Sequence, residues 1–273
     1  MTGQAARAAR FRQLHRPGTP LVIPNPWDVG SARLLASLGF EALATTSSGF
    51  AASLGRLDGS VTRDEAIAHA AQIVAATDLP VSADLENGFA DDPAGVAETA
   101  RRAVGSGLAG FSIEDFSPDA GIYDRRLAAE RVAAAVEAAH AADARLVVTA
   151  RAENHIHDRP DLQDTIARLQ AFQEAGADVL YAPGPTRPED IEAIVRSVDR
   201  PVNVLARPGT PSVAELARLG VSRISVGGAF AFAAVQALVA AATELRDEGT
   251  YGFTEAAAAG ARAVRRTFGQ PPA

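Results

Sequence analysis

The amino-acid sequence predicts an α/β fold, a single (β/α)8 barrel of the TIM-barrel type. Three observations support this prediction. Eight short runs of apolar and β-branched residues recur along the 273-residue chain. Ala-rich stretches with helical periodicity lie between them, the pattern typical of βα units on a parallel sheet. No linker or low-complexity block divides the chain, so residues 1–273 are assigned to one domain.

The eight apolar runs are predicted to be the parallel strands of the barrel. Such strands are buried on both faces, which explains why the runs are almost continuously apolar rather than alternating. In chain order they cover residues 21–25, 42–47, 80–86, 110–115, 146–153, 178–183, 201–206 and 223–228.

The stretches between the runs are predicted to be helices, and several end in a glycine that permits left-handed termination. They include residues 30–39, 62–77, 93–107, 127–142, 161–176, 188–198 and 212–220. The barrel therefore spans about residues 20–246, and residues 248–273 form an extra C-terminal helix that packs on the barrel or on a neighbouring subunit. A doubly wound open sheet is the alternative, but it needs fewer strands and usually a Gly-rich first turn, which is absent after Asn25.

Charge and hydropathy limit the partners of the protein. The formal net charge is −7 and no Lys/Arg run occurs, so nucleic acid and anionic membranes have little support as partners. No apolar run reaches the roughly 18 residues of a membrane span, and the N-terminus lacks the apolar core of a signal peptide. We expect a cytoplasmic protein that acts on a small molecule.

Two residue types are missing, and their absence excludes several chemistries. The chain has no Cys, which removes disulfides, thiolate nucleophiles and thiolate metal ligands. It also has no Lys, since all 26 basic residues are Arg. A Schiff-base aldolase and a pyridoxal phosphate enzyme are therefore excluded, and any metal must bind to oxygen or imidazole ligands.

Acidic side chains cluster at the ends of the third, fourth and fifth predicted strands. These ends carry Asp84 and Glu86, then Glu114 and Asp115, then Arg151, Glu153 and Asn154. In (β/α)8 barrels the catalytic groups lie at these C-terminal strand ends. So many carboxylates around one arginine leave surplus negative charge, and hard oxygen ligands favour Mg²⁺ or Mn²⁺. The sequence therefore predicts a divalent metal site.

Structural explanations compete with functional ones at several of these and other polar residues. Asp84 alone could cap a helix or pair with an arginine. His155 and His157 could bind metal or carry protons, or lie exposed in a loop. Gly227 and Gly228 could hold a phosphate on their amides or allow close packing.

Two further pairs of residues are candidates for the barrel mouth. Trp27 and Asp28 either line the mouth and contact substrate, or form a hydrophobic plug and a helix cap. Asn203 and Arg207 are polar where a barrel interior is mostly apolar, so we expect them to face a ligand.

Four segments carry a family resemblance. PNPWDVGSARLLASLGFEALATTSSG, SADLENGFAD, GFSIEDF and TARAEN occur in this order between about residues 21 and 245. Together they resemble the phosphoenolpyruvate mutase/isocitrate lyase superfamily. The resemblance implies a (β/α)8 barrel whose Mg²⁺ lies near the acids of a D-x-[DE]-x-G-[YF] motif, matched by Asp84, Glu86, Gly88 and Phe89. Glu114 matches the metal-shell glutamate, and Asp58 matches an acid near the metal-bound water.

The resemblance also implies the substrate and the assembly. An α-oxo acid or its enolate is expected to chelate the metal, held by Arg151 and by the loop that contains Thr45, Thr46, Ser47 and Ser48. Members commonly form homodimers or homotetramers that exchange a C-terminal helix, and we expect such exchange here.

The departures from the family pattern bear on the reaction. Isocitrate and methylisocitrate lyases carry a K-[KR]-C-G-H loop after the fourth strand, but this chain has FSPDAGIYDRR there. The APGP stretch around Pro183 replaces their strand-six glutamate. Mutases and phosphonopyruvate hydrolases tend to have Lys and Asn in the same loop, and both are missing.

The sequence predicts a Mg²⁺-dependent carbon–carbon lyase, acting on a small 2-oxo or 2-hydroxy carboxylic acid through a metal-bound enolate. Glu114, Arg151 and Asp58 are the candidate catalytic residues. Glu114 or a metal-bound water is the candidate for proton transfer, and Tyr123 or Asp119 are weaker ones. Alternatives are phosphonopyruvate hydrolase or phosphoenolpyruvate mutase activity, a phosphate-dependent isomerase or aldolase centred on Gly227 and Gly228, and a non-catalytic 2-oxo acid binding protein.

Overall fold

Eight parallel strands form the barrel in the computed structural model, which describes residues 3–269. They are β1 (Leu21–Ile23), β2 (Leu43–Ala44), β3 (Val81–Asp84), β4 (Gly110–Glu114), β7 (Val147–Arg151), β8 (Val179–Tyr181), β9 (Val202–Leu205) and β10 (Arg223–Ser225). Two further strands, β5 (Phe116–Ser117) and β6 (Gly121–Ile122), form an antiparallel hairpin after β4. The predicted fold class, including the extra C-terminal helix, is confirmed.

The strands pair in the order β2-β3-β4-β7-β8-β9-β10-β1, and side-chain and backbone hydrogen bonds bring the two outer strands together. The backbone N–H of Ala44 donates to the carbonyl of Pro24 at 3.1 Å. The Asn25 side chain donates to the carbonyl of Thr45 and accepts from the backbone N–H groups of Val226 and Gly227, each at 3.0 Å. Asn25 thus ties the first, second and last barrel strands together at the mouth.

Helices surround the barrel and several begin at a capping side chain. They are α1 (Gly3–Leu14), α2 (Val29–Ser37), α3 (Ser47–Ser53), α4 (Arg63–Ala75), α5 (Pro93–Gly105), α6 (Arg125–His140), α7 (Leu162–Glu174), α8 (Pro188–Arg196), α9 (Val213–Arg218), α10 (Ala229–Asp247) and α11 (Thr254–Phe268). Asp28, Thr62 and Ser212 each form a capping box with the residue three positions later. Asp28 is therefore the cap of α2, one of its two predicted roles.

The second strand and the N-terminal segment differ from the sequence prediction. The second strand ends at Ala44 rather than at Ser47, because Thr46 caps α3 and its hydroxyl accepts from the Gly49 backbone N–H. Helix α1 was not predicted at all. Its Phe11 is fully buried and packs on the core, and His15 follows the helix and lies beneath the barrel interior.

The core lies between the barrel and the helices and is rich in alanine. Ala100 and Ala103 of α5, and Ala135 and Ala139 of α6, are fully buried in it. Such small side chains let helices approach the barrel and each other closely, which agrees with the predicted role of the Ala-rich stretches.

The last two helices are the least buried elements of the described chain. Helix α10 buries only Ala231, while Phe232, Val235 and Leu238 remain exposed. By length and composition α10 is long and apolar enough to cross a membrane. An 18-residue stretch of the helix has a mean hydropathy of 1.3, and 6% of that stretch is buried. One such helix is weak evidence for a span, since an apolar subunit interface meets the same description. Helix α11 packs on α2 of its own chain, where the Arg33 guanidinium lies 4.9 Å from the Phe268 ring centroid.

Candidate active site

Three neighbouring strands end in charged residues at one mouth of the barrel. Strand β4 lies between β3 and β7, and Glu114 at its end is directly opposite Arg151. Asp84 ends β3 and is opposite Ser112. Because parallel strands present their carboxyl ends at the same edge, Asp84, Glu114 and Arg151 come together there.

Arg151 contacts three carboxylates at once. Its Nη1 lies 3.0 Å from Asp84 Oδ1, its Nη2 lies 3.1 Å from Glu114 Oε2, and its Nε lies 2.7 Å from Glu153 Oε1. The guanidinium also lies 5.2 Å from the centroid of the Tyr181 ring. The planar fork of arginine permits these three pairings, which a lysine could not reproduce.

Glu86 reaches the site in a different way from the one the sequence predicted. Strand β3 ends at Asp84, so Glu86 is not two residues further along the same strand. The chain turns through buried Leu85, and Glu86 adopts a left-handed conformation with φ of 46°. The third predicted strand, residues 80–86, therefore ends two residues early, at Asp84, although the side chains of Asp84 and Glu86 both line the mouth.

The turn after Glu86 is held by its own hydrogen bonds. The N–H of Gly88 donates to the carbonyl of Leu85 at 2.7 Å, and the N–H of Phe89 donates to the Asn87 side chain at 2.9 Å. Gly88 has φ of 74° and Phe89 has φ of 54°, so this is a left-handed run in which a glycine is favoured. Gly88, the glycine of the D-x-[DE]-x-G-[YF] motif, therefore permits the left-handed backbone of this turn.

Two connected cavities open at this mouth. The first has a volume of about 280 Å³ and is lined by Ser47, Asp58, Gly59, Glu86, Asn87, Glu114, Phe116, Pro118, Arg151, Glu153, Ile156 and His157. The second has a volume of about 160 Å³ and extends into the barrel. Thr45, Thr46, Ser47, Ser48, Asp58, Asp84 and Arg151 line its upper part. The two cavities share four lining residues, Ser47, Asp58, Arg151 and Ile156.

The acids of this site crowd one another. Burial raises the pKa of Glu86 to about 8, and the neighbouring charges of Asp84 and Asp58 add to the effect. Burial also raises the pKa of Glu114 well above its usual value, although Arg151 opposes the shift. Burial is also the main cause that raises the pKa values of Glu153 and Asp58.

This donor set fits a hard divalent cation. Among the residues lining the two cavities, Asp58, Asp84, Glu86, Glu114 and Glu153 carry carboxyl groups, and the cation Arg151 lies among them. Within residues 3–269, no three His, Cys, Asp or Glu side chains are gathered into a ready-made metal cage. Mg²⁺ typically keeps several waters and needs only one or two direct carboxylates, so such a cage is not required.

The hydroxyl loop after β2 contacts Asp84. The Thr45 hydroxyl accepts from the Asp84 backbone N–H at 2.9 Å. The Ser47 backbone N–H and hydroxyl both donate to Asp84 Oδ2, at 3.3 and 3.1 Å. The hydroxyls of Thr46 and Ser48 lie 3.1 Å apart and both residues line the second cavity.

Other predicted site residues lie away from the charged mouth. Trp27 lines neither of the two cavities, and its carbonyl pairs with the ring of His69 at 3.0 Å. Asn203 is buried inside the barrel, where its amide donates to the Ser225 hydroxyl at 3.0 Å. Tyr123 and Asp119, the weaker candidates for proton transfer, do not line the cavities either.

The polar loop residues separate into two groups. His157 lines the first cavity, with its ring stacked on Phe116 of the hairpin at a centroid distance of 3.4 Å. His155 does not line it. Asp115 is buried away from the mouth in an ion pair with Arg168, with Arg168 Nη1 at 2.9 Å from Asp115 Oδ2, so it has a structural role.

Sequence reasoning missed Arg131, a buried residue that hydrogen-bonds to the backbone of segments carrying the site residues. Its Nη1 donates to the carbonyl of Glu114 at 3.1 Å, and its Nη2 donates to the carbonyls of Ala90, at 2.9 Å, and Asn87. A signal existed, because Arg131 lies on the apolar face of α6 with Ala128, Val132 and Ala135. A charged residue on such a face must find polar partners in the core.

Comparison with known proteins identifies the family. Residues 11–246 match the phosphoenolpyruvate phosphomutase family. A Burkholderia cenocepacia J2315 protein with a provisional lyase/mutase assignment has a crystal structure that matches with a TM-score of 0.95 and 55% identity, over 99% of both chains. The oxaloacetate decarboxylase of Pseudomonas entomophila (strain L48) is 30% identical over 83% of this chain and 80% of its own. The 2,3-dimethylmalate lyase of Eubacterium barkeri is 28% identical over 89% of this chain and 87% of its own.

Two of these relatives are named as a decarboxylase and a lyase of small acids, which confirms at the level of enzyme class the expectation of a lyase-type enzyme. The order and spacing of the four resembling segments also agree with the match, which covers most of the chain. The chain belongs to the phosphoenolpyruvate phosphomutase family, within the phosphoenolpyruvate mutase/isocitrate lyase superfamily.

Proposed function

We propose that this protein is a Mg²⁺- or Mn²⁺-dependent lyase that cleaves a carbon–carbon bond of a small 2-oxo or 2-hydroxy carboxylic acid. The observation that carries the proposal is the mouth of the barrel, where five carboxyl groups surround Arg151. The class of reaction is that of the named relatives, which include a decarboxylase and a lyase of small acids.

Asp84 and Glu86 would hold the cation at this mouth, with Glu114 in the shell of polar groups around it. When bound, a divalent cation supplies Lewis acidity that polarises an oxo or hydroxyl oxygen of the substrate. Glu86 supports this assignment most directly, because its half-buried carboxylate has no ion-pair partner among residues 3–269 and its pKa is raised to about 8. Asp58, which also lines the mouth, is proposed to act on water there.

Arg151 is proposed to bind the carboxylate of the substrate. Its guanidinium is held in place by Asp84, Glu114 and Glu153, so little side-chain entropy is lost when a ligand arrives. The loop that contains Thr46, Ser47 and Ser48 lines the same cavity, and the hydroxyl of Thr46 or Ser48 that does not donate to the other would donate to a substrate oxygen. Arg151 also offsets the repulsion between substrate and the surrounding acids.

Glu114 is proposed to transfer a proton during bond cleavage. Its pKa is raised by burial, so it holds a proton at higher pH than an exposed glutamate. The hairpin β5–β6 stands where related lyases carry their Cys-containing loop. Its Phe116, together with Ile156 and His157, covers one side of the first cavity and would limit the entry of water.

We also propose that the protein assembles as a homodimer or homotetramer through α10. The exposed apolar face of this helix is defined by Phe232, Val235 and Leu238, which are 50%, 46% and 69% exposed. A second copy of the chain would remove this face from water. The predicted exchange of a helix between subunits applies to α10 rather than to α11, since α11 packs on its own α2.

The test is a coupled assay for pyruvate and glyoxylate with oxaloacetate and 2-methylmalate-type acids, with Mg²⁺ and with EDTA. We expect turnover that depends on Mg²⁺ and falls at least tenfold in Glu86→Gln. The matched control, Glu189→Gln, removes an exposed carboxylate paired with Arg187 and should leave the rate unchanged. Turnover of the whole panel in EDTA, or none with Mg²⁺, would contradict the proposal.

Phosphorus–carbon chemistry is the second candidate, because the family that matches the chain is named for phosphoenolpyruvate phosphomutase. Phosphonopyruvate therefore belongs in the same assay. Release of phosphate and pyruvate from phosphonopyruvate, without cleavage of any of the carbon acids, would favour a hydrolase. Binding of ligands without turnover of any of them would favour a 2-oxo acid binding protein.

A further inference from the structure

The interior of this barrel is polar where such barrels are usually filled by branched apolar side chains. Ser82, Ser112, Thr149, Tyr181, Asn203, Arg223 and Ser225 are all buried along β3, β4, β7, β8, β9 and β10. Five of these seven residues, all except Thr149 and Asn203, line the second cavity, which also reaches Asp84 and Arg151 at the mouth. We call this the polar shaft. It connects the charged mouth to the middle of the barrel.

Arg223 forms the floor of the polar shaft. The residue is 4% exposed. Its Nε donates to Asn203 Oδ1 at 2.9 Å, and its Nη1 donates to the Thr149 hydroxyl at 3.1 Å. Nη1 also lies 3.4 Å from His15 Nε2, which closes the shaft from below.

Unlike Arg151, Arg223 has no anionic partner in the described part of the chain. Among residues 3–269 no carboxylate forms an ion pair with it, and all three of its acceptors are neutral groups. No hydrogen bond within that range uses its Nη2, although the residue lines the cavity. Burial lowers the pKa of Arg223 to about 10, as expected for a cation without a counter-ion.

Hydroxyl groups surround the space above this cation. Ser82, Ser112, Ser225 and Tyr181 all line the shaft. Hydroxyls donate readily to oxyanions, and a buried guanidinium that lacks an anion gains a charge-assisted bond when one arrives. A metal ion would be repelled by Arg223, and an apolar group would leave the hydroxyls unpaired.

We propose that the floor of the polar shaft binds a carboxylate, and that this is the second carboxylate of a dicarboxylic substrate. The proposal rests on the proposed function for the other end of the substrate, which lies at the mouth near Arg151. One cavity of about 160 Å³ contains both ends, so a four-carbon acid fits its scale. Arg223 is then a specificity-determining residue that separates dicarboxylic from monocarboxylic acids.

Malate and lactate are the probes, since they share a 2-hydroxy acid end and differ in the second carboxylate. Their affinities are measured by calorimetry with Mg²⁺ present, chloride excluded and the ionic strength held constant with a bulky sulfonate. We expect wild type to prefer malate by about tenfold or more. Arg223→Met should weaken malate about tenfold and leave lactate within about twofold. The control Arg218→Met, which removes an exposed guanidinium near Glu215, should keep the preference.

A second measurement needs no variant. Chloride added to the wild-type protein should compete with malate and leave lactate binding unchanged. An unchanged malate preference in Arg223→Met, an equal loss in Arg218→Met, or no effect of chloride on malate would overturn the assignment. Chloride that binds while wild type shows no malate preference would also overturn it, because the site would then take a halide rather than a carboxylate.

The outcome for the subsite is separable from that for the reaction. Loss of malate preference in Arg223→Met without cleavage of any acid in the panel would support the subsite and contradict the proposed function. Cleavage with an unchanged preference would support the function and overturn the subsite.

Discussion

Replacing Arg131 tests how the barrel holds its acids in place. The side chain is 1% exposed, and it donates to backbone carbonyls on two segments that carry site residues. One segment is the turn 86–90 with Glu86, and the other is the end of β4 with Glu114. The guanidinium also lies 4.0 Å from the centroid of the Tyr123 ring.

Arg131→Met keeps much of the volume but removes every donor. Three carbonyls, those of Asn87, Ala90 and Glu114, lose a charged donor. Each such bond contributes about 1.5–3 kcal/mol. Two effects offset part of this loss, because the variant no longer buries a cation and water can reach some of the carbonyls. We therefore expect the free energy of unfolding to be about 3 kcal/mol lower. Arg131→Lys keeps the charge but cannot reach three carbonyls, so it should restore only part of the loss.

Reversible urea unfolding at 25 °C measures the change. The matched control is Arg126→Met on the same helix, whose exposed guanidinium pairs with Glu130 at 2.9 Å and should cost less than about 0.5 kcal/mol. Equal effects of Arg131→Met and Arg126→Met would refute this reasoning. In steady-state assays Arg131→Met should lower kcat/KM more than Arg126→Met, because the turn with Glu86 is no longer fixed.

Three further predictions follow from the same geometry. Arg151→Lys should lower kcat/KM by about 100-fold or more, because the ammonium group cannot reproduce the contacts of the guanidinium with three carboxylates. Breaking a buried ion pair costs about 3–5 kcal/mol. A loss under threefold in steady-state kinetics would contradict this prediction. Lowering the pH from 7 to 5 should reduce the free energy of unfolding by about 2 kcal/mol through His15. Burial lowers its pKa from 6.5 to about 3, so in that window the unfolded chain binds a proton that the folded chain does not, and stability is lost as the pH falls. His15→Gln should remove this part of the slope in urea titrations, and an unchanged slope would count against it. Leu238→Glu should shift sedimentation from an oligomer toward the monomer, whereas a wild-type protein that is monomeric at micromolar concentration would exclude assembly through α10.

The sequence predicted the barrel because its periodic signals are local. Each strand run and each Ala-rich helix can be recognised within about ten residues, and the glycines mark the ends. The exceptions have physical causes. Thr46 shortened the second strand because its hydroxyl caps α3, and α1 has no strong amphipathic pattern, although it covers the bottom of the barrel with Phe11.

The site was less accessible to sequence reasoning because its contacts are long-range. Strand ends brought Asp84, Glu114 and Arg151 to one mouth, as parallel topology requires. The left-handed turn at Glu86, and the position of Arg223 away from any carboxylate among residues 3–269, depend on geometry that no spacing in the sequence encodes. Asp58, by contrast, was placed by the family resemblance alone, and the structure shows that it lines both cavities.

The charges along the barrel axis form an order that favours one orientation of a substrate. Acids crowd the mouth, Arg151 lies among them, hydroxyls line the polar shaft, and Arg223 forms its floor. A carboxylate at the floor adds negative charge near Arg151 and thereby strengthens the field that attracts a cation to the mouth. Binding of the cation must by linkage strengthen binding of that carboxylate to the same extent. A dicarboxylic acid therefore couples the two ends of the cavity, whereas a monocarboxylic acid leaves the floor without its anion.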